Sequence, residues 1–196
     1  LAMNKLKVRQ ICCENKLSKG VFAKDLVLHI INKLGVKAGV GYAYEFTGPA
    51  ISSLSMEERM TICNMSIEGG ARCGYVNPDD KTYSYIKNKI SSPKKENWEK
   101  ALNWWKTLTS DEDAIYDDVV KIDASQVEPT VTWGITPGQS TGINQTIPSL
   151  REIDPKDQFI AGEAYEYMGF KPGQLIKNTP IDVCFIGSCT NGRISD

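Results

Sequence analysis

Apolar residues recur at helical spacing from Ala23 to Leu34, where Leu26, Val27, Ile30, Ile31 and Leu34 share one face. Gly35 follows and predicts the helix end. The next apolar stretch, Val40 to Phe46, is punctuated by Gly39, Gly41 and Gly48 and reads as a strand running into a loop. Ser55-Met56-Glu57-Glu58 has the form of a capping box, with Ser55 as N-cap and Glu58 reaching back. The helix it opens carries Met60, Cys63 and Ile67 as an apolar stripe and ends at Gly69-Gly70. A short strand is expected around Arg72 to Val76, then a turn at Asn77-Pro78-Asp79-Asp80, then helices over 81–89 and 94–108. Trp98, Leu102 and Trp105 stripe the second of these as core positions.

Further along, Asp111, Glu112, Asp113, Asp117 and Asp118 form an acidic cluster that reads as solvated surface. It lacks the spaced carboxylates and the glycine of a calcium loop. Val119 to Ile122 reads as a strand. From Val127 to Ile153 the chain is rich in Gly, Pro, Thr and Ser, so no ordered helix is expected and the segment is either linker or functional loop. Pro155 opens a helix that runs through Met168 and closes at Gly169; Ile181 to Ile186 then reads as a short apolar strand. Helices and strands alternate, which points to an α/β class of layered architecture. The expected organisation is one lobe over residues 1–126, a Gly/Pro-rich connection and helix over 127–180, and the start of a second lobe over 181–196.

Composition narrows the function classes. With 23 Lys plus Arg against 24 Asp plus Glu, the chain lacks the basic surplus of a nucleic-acid or anionic-membrane binder. At 41% hydrophobic it is too apolar for intrinsic disorder, yet no apolar run approaches the ~20 residues of a membrane span. No signal peptide opens it. Six cysteines in 196 residues are too sparse for a disulfide-stapled secreted domain, so a reduced, cytoplasmic setting is expected. The single histidine, His29, sits in the first helix and leaves little for zinc or imidazole chemistry. Metal chemistry, if any, would rest on thiolates or carboxylates. The chain begins at Leu1 rather than Met and stops shortly after a Gly-Ser-Cys turn, so an internal fragment is expected.

Two motifs carry little. Gly138-Gln139-Ser140-Thr141-Gly142 matches a nucleophile elbow, but Pro137 precedes it, no helical stretch follows, and the only histidine lies upstream. Asn144-Gln145-Thr146 fits a glycosylation acceptor, which a cytoplasmic chain would not use.

The segment Cys184 to Arg193 is more informative. It reads as a buried strand entering a small-residue turn at a helix start, where free N–H groups and a positive dipole end collect. A cysteine placed there has a lowered thiol pKa, and Gly187 permits close approach to the backbone. Anion binding, a reactive thiol, or one ligand of a metal cluster all remain open. Cys184 reads as a small buried hydrophobe. Asn64 and Glu68 stand four apart on one helix and so project from one face; alone, such a pair reads as solvated surface.

Ile186 to Arg193 resembles the first cluster-cysteine motif of the aconitase superfamily, and Thr61 to Ala71 resembles that family's helix bearing an active-site Asn and Glu. Tyr44 to Ile51, Ser55 to Met60 and Val131 to Gly134 look most like its isopropylmalate dehydratase branch, large-subunit type. The resemblance covers essentially the whole chain. It implies layered α/β/α aconitase-like domains, here incomplete, and a hydro-lyase interconverting 2-isopropylmalate and 3-isopropylmalate by dehydration and rehydration in leucine biosynthesis. It implies a [4Fe–4S] cluster held by three cysteines, whose open iron serves as Lewis acid. Cys189 matches the first cluster ligand, with Ser188, Thr190 and Asn191 placed to hydrogen-bond the cluster sulfurs. Asn64 would lie beside the cluster, and Glu68 would hydrogen-bond the iron-bound water or orient a catalytic histidine.

The same resemblance implies a heterodimer with a small subunit that supplies the catalytic serine, and no nucleic-acid or membrane partner. The family's Asp-Ser-His segment, Cys-x-x-Cys pair and substrate-binding arginines have no match here. Cys12, Cys13, Cys63 and Cys73 match no ligand and read as structural, and Arg193 reads as an exposed helix-start residue. The pocket that reads the substrate's side group is expected elsewhere. The fragment alone is expected to be inactive and poorly soluble. An aconitase- or homoaconitase-type hydratase is the nearest alternative; an anion-binding module without catalysis is the alternative of another class.

Overall fold

A strand that the periodicity did not announce opens the fold. The computed structural model describes residues 4–87, 89–187, 190 and 192–195, and in it β1 (Lys7–Glu14) is an inner strand of a four-stranded parallel sheet. Helix α1 (Ala23–Leu34) returns the chain to β2 (Tyr42–Thr47), which pairs with β1 from Lys7↔Tyr42 to Cys12↔Thr47. Four consecutive positions of β2, Ala43 to Phe46, are buried, the signature of a parallel strand covered on both faces. Val40, expected at the start of this strand, stands outside it and is exposed.

Gly48 then turns the chain into the short α2 (Pro49–Ser53), followed by α3 (Met56–Met65). Ser55 caps α3 as expected: its hydroxyl accepts from Glu58 N at 3.2 Å, and Glu58 accepts from Ser55 N at 2.8 Å. β3 (Cys73–Tyr75) adds to the far side of β2. Helices α4 (Asp80–Lys87) and α5 (Glu96–Lys106) lead to β4 (Asp118–Asp123), which pairs with the free side of β1. The sheet order is β3-β2-β1-β4. Its core gathers Ile11, Leu26, Ile30, Phe46, Ile62 and Ile122.

The Gly/Pro-rich stretch forms a small antiparallel hairpin, β5 (Thr130–Thr132) and β6 (Ser140–Gly142), which packs on α1. Beyond it α6 (Gln158–Met168) ends at Gly169 in the left-handed conformation (φ 70°). Trp133, Ile147, Ala164 and Tyr165 build a second apolar cluster here. Among the described residues no helix is long and apolar enough to cross a membrane.

Several expectations fail, each for a physical reason. The α3 stripe is not Met60, Cys63 and Ile67. The helix buries Arg59, Thr61, Ile62 and Met65, while Ile67 lies past its end and is exposed. Arg59 is tolerated inside because Asp79 accepts both of its terminal nitrogens at 2.7 Å. Of the α5 stripe only Trp98 is fully buried; Leu102 and Trp105 stay half-exposed, and Trp105 meets Trp98 edge-on. Asp117 and Asp118 are more than solvated surface: Asp117 accepts from Val8 N at 2.8 Å, and Asp118 accepts from Arg9 Nε at 2.6 Å, tying β4 to β1. Residues 181–186 form no strand; Phe185 and Ile186 are 87% and 90% exposed. No neighbouring sheet edge among the described residues pairs with this segment, and an unpaired segment has no ladder. Cys184, expected to be buried, is therefore exposed.

Candidate functional site

The C-terminal end of α3 organises the site. Asn64 lies in its last turn, and the helix stops at Met65. The chain then tightens: Ile67 N donates to Asn64 O, Gly70 N to Ile67 O and Ala71 N to Ser66 O, while the Ser66 hydroxyl donates to Cys63 O at 2.6 Å. These tight turns take Glu68 off the helical spiral, so Asn64 and Glu68 are not i, i+4 neighbours on one helix face as their spacing had suggested. Both are exposed.

Thr190 and Arg193, two described residues beyond Gly187, meet α3. Asn64 Nδ2 donates to the hydroxyl of Thr190 at 2.8 Å, and Thr190 is buried. Arg193 Nη1 donates to the Glu57 carbonyl at 3.1 Å and approaches Thr61 Oγ1 at 3.5 Å. Arg193 is half-buried rather than an exposed helix-start residue. Ser188, Cys189 and Asn191 lie outside the described residues.

Glu68 and Thr190 border a cleft of about 560 Å³, within the usual size of small-molecule pockets. Its walls come from the start of α1 (Lys24, Asp25, Leu28), from Met65, and from the hairpin loop Thr130 to Pro137. Asp25 is spent on architecture: one oxygen accepts from Phe22 N and the other from Thr130 N, each at 2.8 Å, joining the helix start to the hairpin. Lys24 and Glu68 are the remaining charged groups on the wall. Sequence reasoning missed Lys24 and Asp25, which belong to no motif; it flagged the hairpin loop only as linker or functional loop.

Ser140, at the centre of the elbow-like motif, sits inside β6 with its side chain buried. It has none of the strand–turn–helix exposure that a nucleophile elbow requires. The cysteines divide by burial. Cys13 is fully buried and its thiol is pushed up to about 12; burial pushes Cys63 up to about 11. Both are poor thiolates, in keeping with structural roles. Cys12 is half-buried, and Cys73 and Cys184 are exposed. Among the described residues no three His, Cys, Asp or Glu side chains converge on a metal-sized site. Burial, and then Lys33, push His29 below the ordinary imidazole value, which favours its neutral form.

The structure is a parallel α/β sheet whose third helix meets Thr190 and Arg193, and comparison with known proteins assigns its class. The family model for the aconitase family (aconitate hydratase) matches residues 1–196, and the chain belongs to that family. Among its relatives, the 3-isopropylmalate dehydratase large subunits of Prochlorococcus marinus strains MIT 9515 and MIT 9301 are each 82% identical over all 196 residues. That of Synechococcus sp. strain WH7803 is 64% identical. In each case the chain spans 42% of the relative's length.

Proposed function

We propose that this chain is part of the large subunit of a 3-isopropylmalate dehydratase, a cytoplasmic hydro-lyase that isomerises 2-isopropylmalate and 3-isopropylmalate in leucine biosynthesis. The observation that carries this reading is the 82% identity over 196 residues to large subunits of that name. The partner would be the small subunit, and the substrate would be isopropylmalate. Residues 1–126 would form one lobe, 127–180 a connection and helix, and 181–196 the start of a second lobe.

The donor set here suits one corner of a [4Fe–4S] cluster, not a whole one: Cys189 is the single motif cysteine, and the described residues supply no group of metal-binding side chains. The remaining thiolates would come from the rest of the longer chain. When bound, such a cluster supplies Lewis-acid stabilisation of a departing hydroxide. The residues of this chain would do the rest: Cys189 would ligate iron, Ser188, Thr190 and Asn191 would surround the ligand, Asn64 would hold Thr190 in place, and Glu68 would face the substrate from the cleft wall. The 196-residue chain alone would be inactive.

The test pairs the large subunit, at the length of its relatives, with its small subunit after anaerobic reconstitution with iron and sulfide. Dehydration of isopropylmalate is expected, with little turnover of citrate; preference for citrate would overturn the substrate assignment in favour of an aconitase-type activity. Glu68→Gln should lower turnover by about 100-fold, in the range of a lost general acid–base, while leaving cluster absorbance intact. Undiminished turnover would remove Glu68 from the catalytic machinery.

A further inference from the structure

We propose that a small polar cavity between α1 and the β5–β6 hairpin binds a hard divalent cation of the magnesium class. The cavity shares only Thr130 with the described walls of the cleft at Glu68, and the inference stands independently of the hydro-lyase reading.

The cavity measures about 180 Å³. Asn32 borders it from α1, Glu128 from the approach to β5, and Ser140 and Gly142 from β6. Two of the oxygens on these residues stand out. Ser140 is 6% exposed, and its hydroxyl has no hydrogen-bond partner among the described residues. Glu128 Oε2 is buried and equally without a partner. Burying an unpaired hydroxyl costs free energy, and an unpaired carboxylate oxygen, which can only accept, costs more. A cation offsets both costs, because each oxygen can turn a lone pair towards it.

The neighbours are arranged in the same sense. Asn32 Nδ2 donates to Gly138 O at 3.1 Å and to Ser140 O at 2.9 Å. Both amide hydrogens are thereby directed at the hairpin, and Oδ1 remains as an acceptor. Gly142 leaves room for the carboxylate, since a Cβ at that position would strike Glu128 Oε2.

The donor chemistry selects the ion. A carboxylate, a hydroxyl and an amide oxygen are hard ligands, and none is a thiolate. No three His, Cys, Asp or Glu side chains form a set among the described residues, so a single carboxylate works here with neutral oxygens and water. Magnesium-class ions are bound in this way, through one or two carboxylates while keeping several waters. At ~30 Å³ per water, the cavity has room for the ion with a shell of roughly five waters. Bound there, the ion links α1 to the hairpin, whose loop also walls the cleft, and steadies that wall without meeting the substrate.

The experiment uses the full-length large subunit with its small subunit, freed of divalent ions, and Mn²⁺ as the probe. Bound Mn²⁺ is counted from the loss of the free-ion electron paramagnetic resonance signal, and amide hydrogen exchange is followed over residues 128–145. Wild type should bind one more Mn²⁺ per complex than Glu128→Gln, and Mg²⁺ should displace that ion. Exchange over 128–145 should slow on adding Mn²⁺ in wild type alone. Gly142→Ala, which keeps every ligand but crowds the carboxylate, should lose the same ion. Equal Mn²⁺ counts in wild type and Glu128→Gln would overturn the proposal. So would a wild type that binds no Mn²⁺, the cavity then holding water alone. Displacement by K⁺ and not by Mg²⁺ would overturn the choice of ion. If Glu128→Gln does not fold, the counts for Gly142→Ala and Ser140→Ala decide in its place.

Discussion

Arg59 shows how single residues are held in this fold. It is 3% exposed, and its charge is met by Asp79 through two parallel hydrogen bonds. That pairing holds the Asp79 carboxyl down at about 2. Because the folded value lies below the ordinary 3.8, the stabilisation is complete above about pH 4 and is lost as pH falls towards about 2. Asp79→Ala would leave the buried Arg59 charge without its carboxylate, with the Ser52 carbonyl still accepting from it, and because the Asp79 side chain is 42% exposed the cost should be about 1–2 kcal/mol at neutral pH. Its thermal melt should also decline less than that of the wild type between about pH 5 and pH 2.5; an equal decline would exclude the pair as a source of acid sensitivity. No sequence pattern announced this pair, because Asp79 reads as a turn residue and Arg59 belongs to no apolar stripe. Asn64, by contrast, stands in a recognisable motif, but its contact was not legible: the amide hydrogen bond to Thr190 spans 126 positions.

At the scale of elements, α1 and α5 were legible because their apolar residues keep helical spacing, and α6 because Pro155 and Gly169 bracket it. β1 was not legible. Lys7 to Glu14 mixes charge with two adjacent cysteines, and its burial comes from strands on both sides rather than from its own composition. The apolar run 181–186 shows the converse: hydrophobicity predicts a strand only where an edge exists to receive it. Gly48 illustrates what the β2–α2 junction demands. Its φ is +98°, and a Cβ there would strike the Cys13 carbonyl. Gly48→Ala should destabilise the full-length chain by more than about 1 kcal/mol, whereas Gly162→Ala, with open space inside α6, should be neutral or stabilising by up to about 1 kcal/mol. Thermal melts of the two variants check this; equal shifts would refute the constraint at Gly48.

For the molecule as a whole, the arrangement places a cleft on the helical layer, between the start of α1, the turn after α3 and the hairpin loop. Glu68 and Thr190 stand on that wall, and Thr190 and Arg193 contact α3. The family and the α/β class were legible in the sequence because Gly-Ser-Cys-Thr-Asn and the Asn64–Glu68 segment are short, local motifs. The cleft was not legible, since its walls join residues more than a hundred positions apart. The exposed apolar side chains of Ile181, Val183, Phe185 and Ile186 agree with a chain that spans 42% of its relatives' length, because such patches mark surfaces that other structure covers. The central claim is that Cys189 binds the cluster of an isopropylmalate hydro-lyase. The most direct measurement is the iron and sulfide content and visible absorbance of the reconstituted full-length complex, wild type against Cys189→Ser. One [4Fe–4S] cluster in the wild type and its loss in Cys189→Ser, together with loss of isopropylmalate dehydration, is the expected result. A complete and active cluster in Cys189→Ser would contradict it.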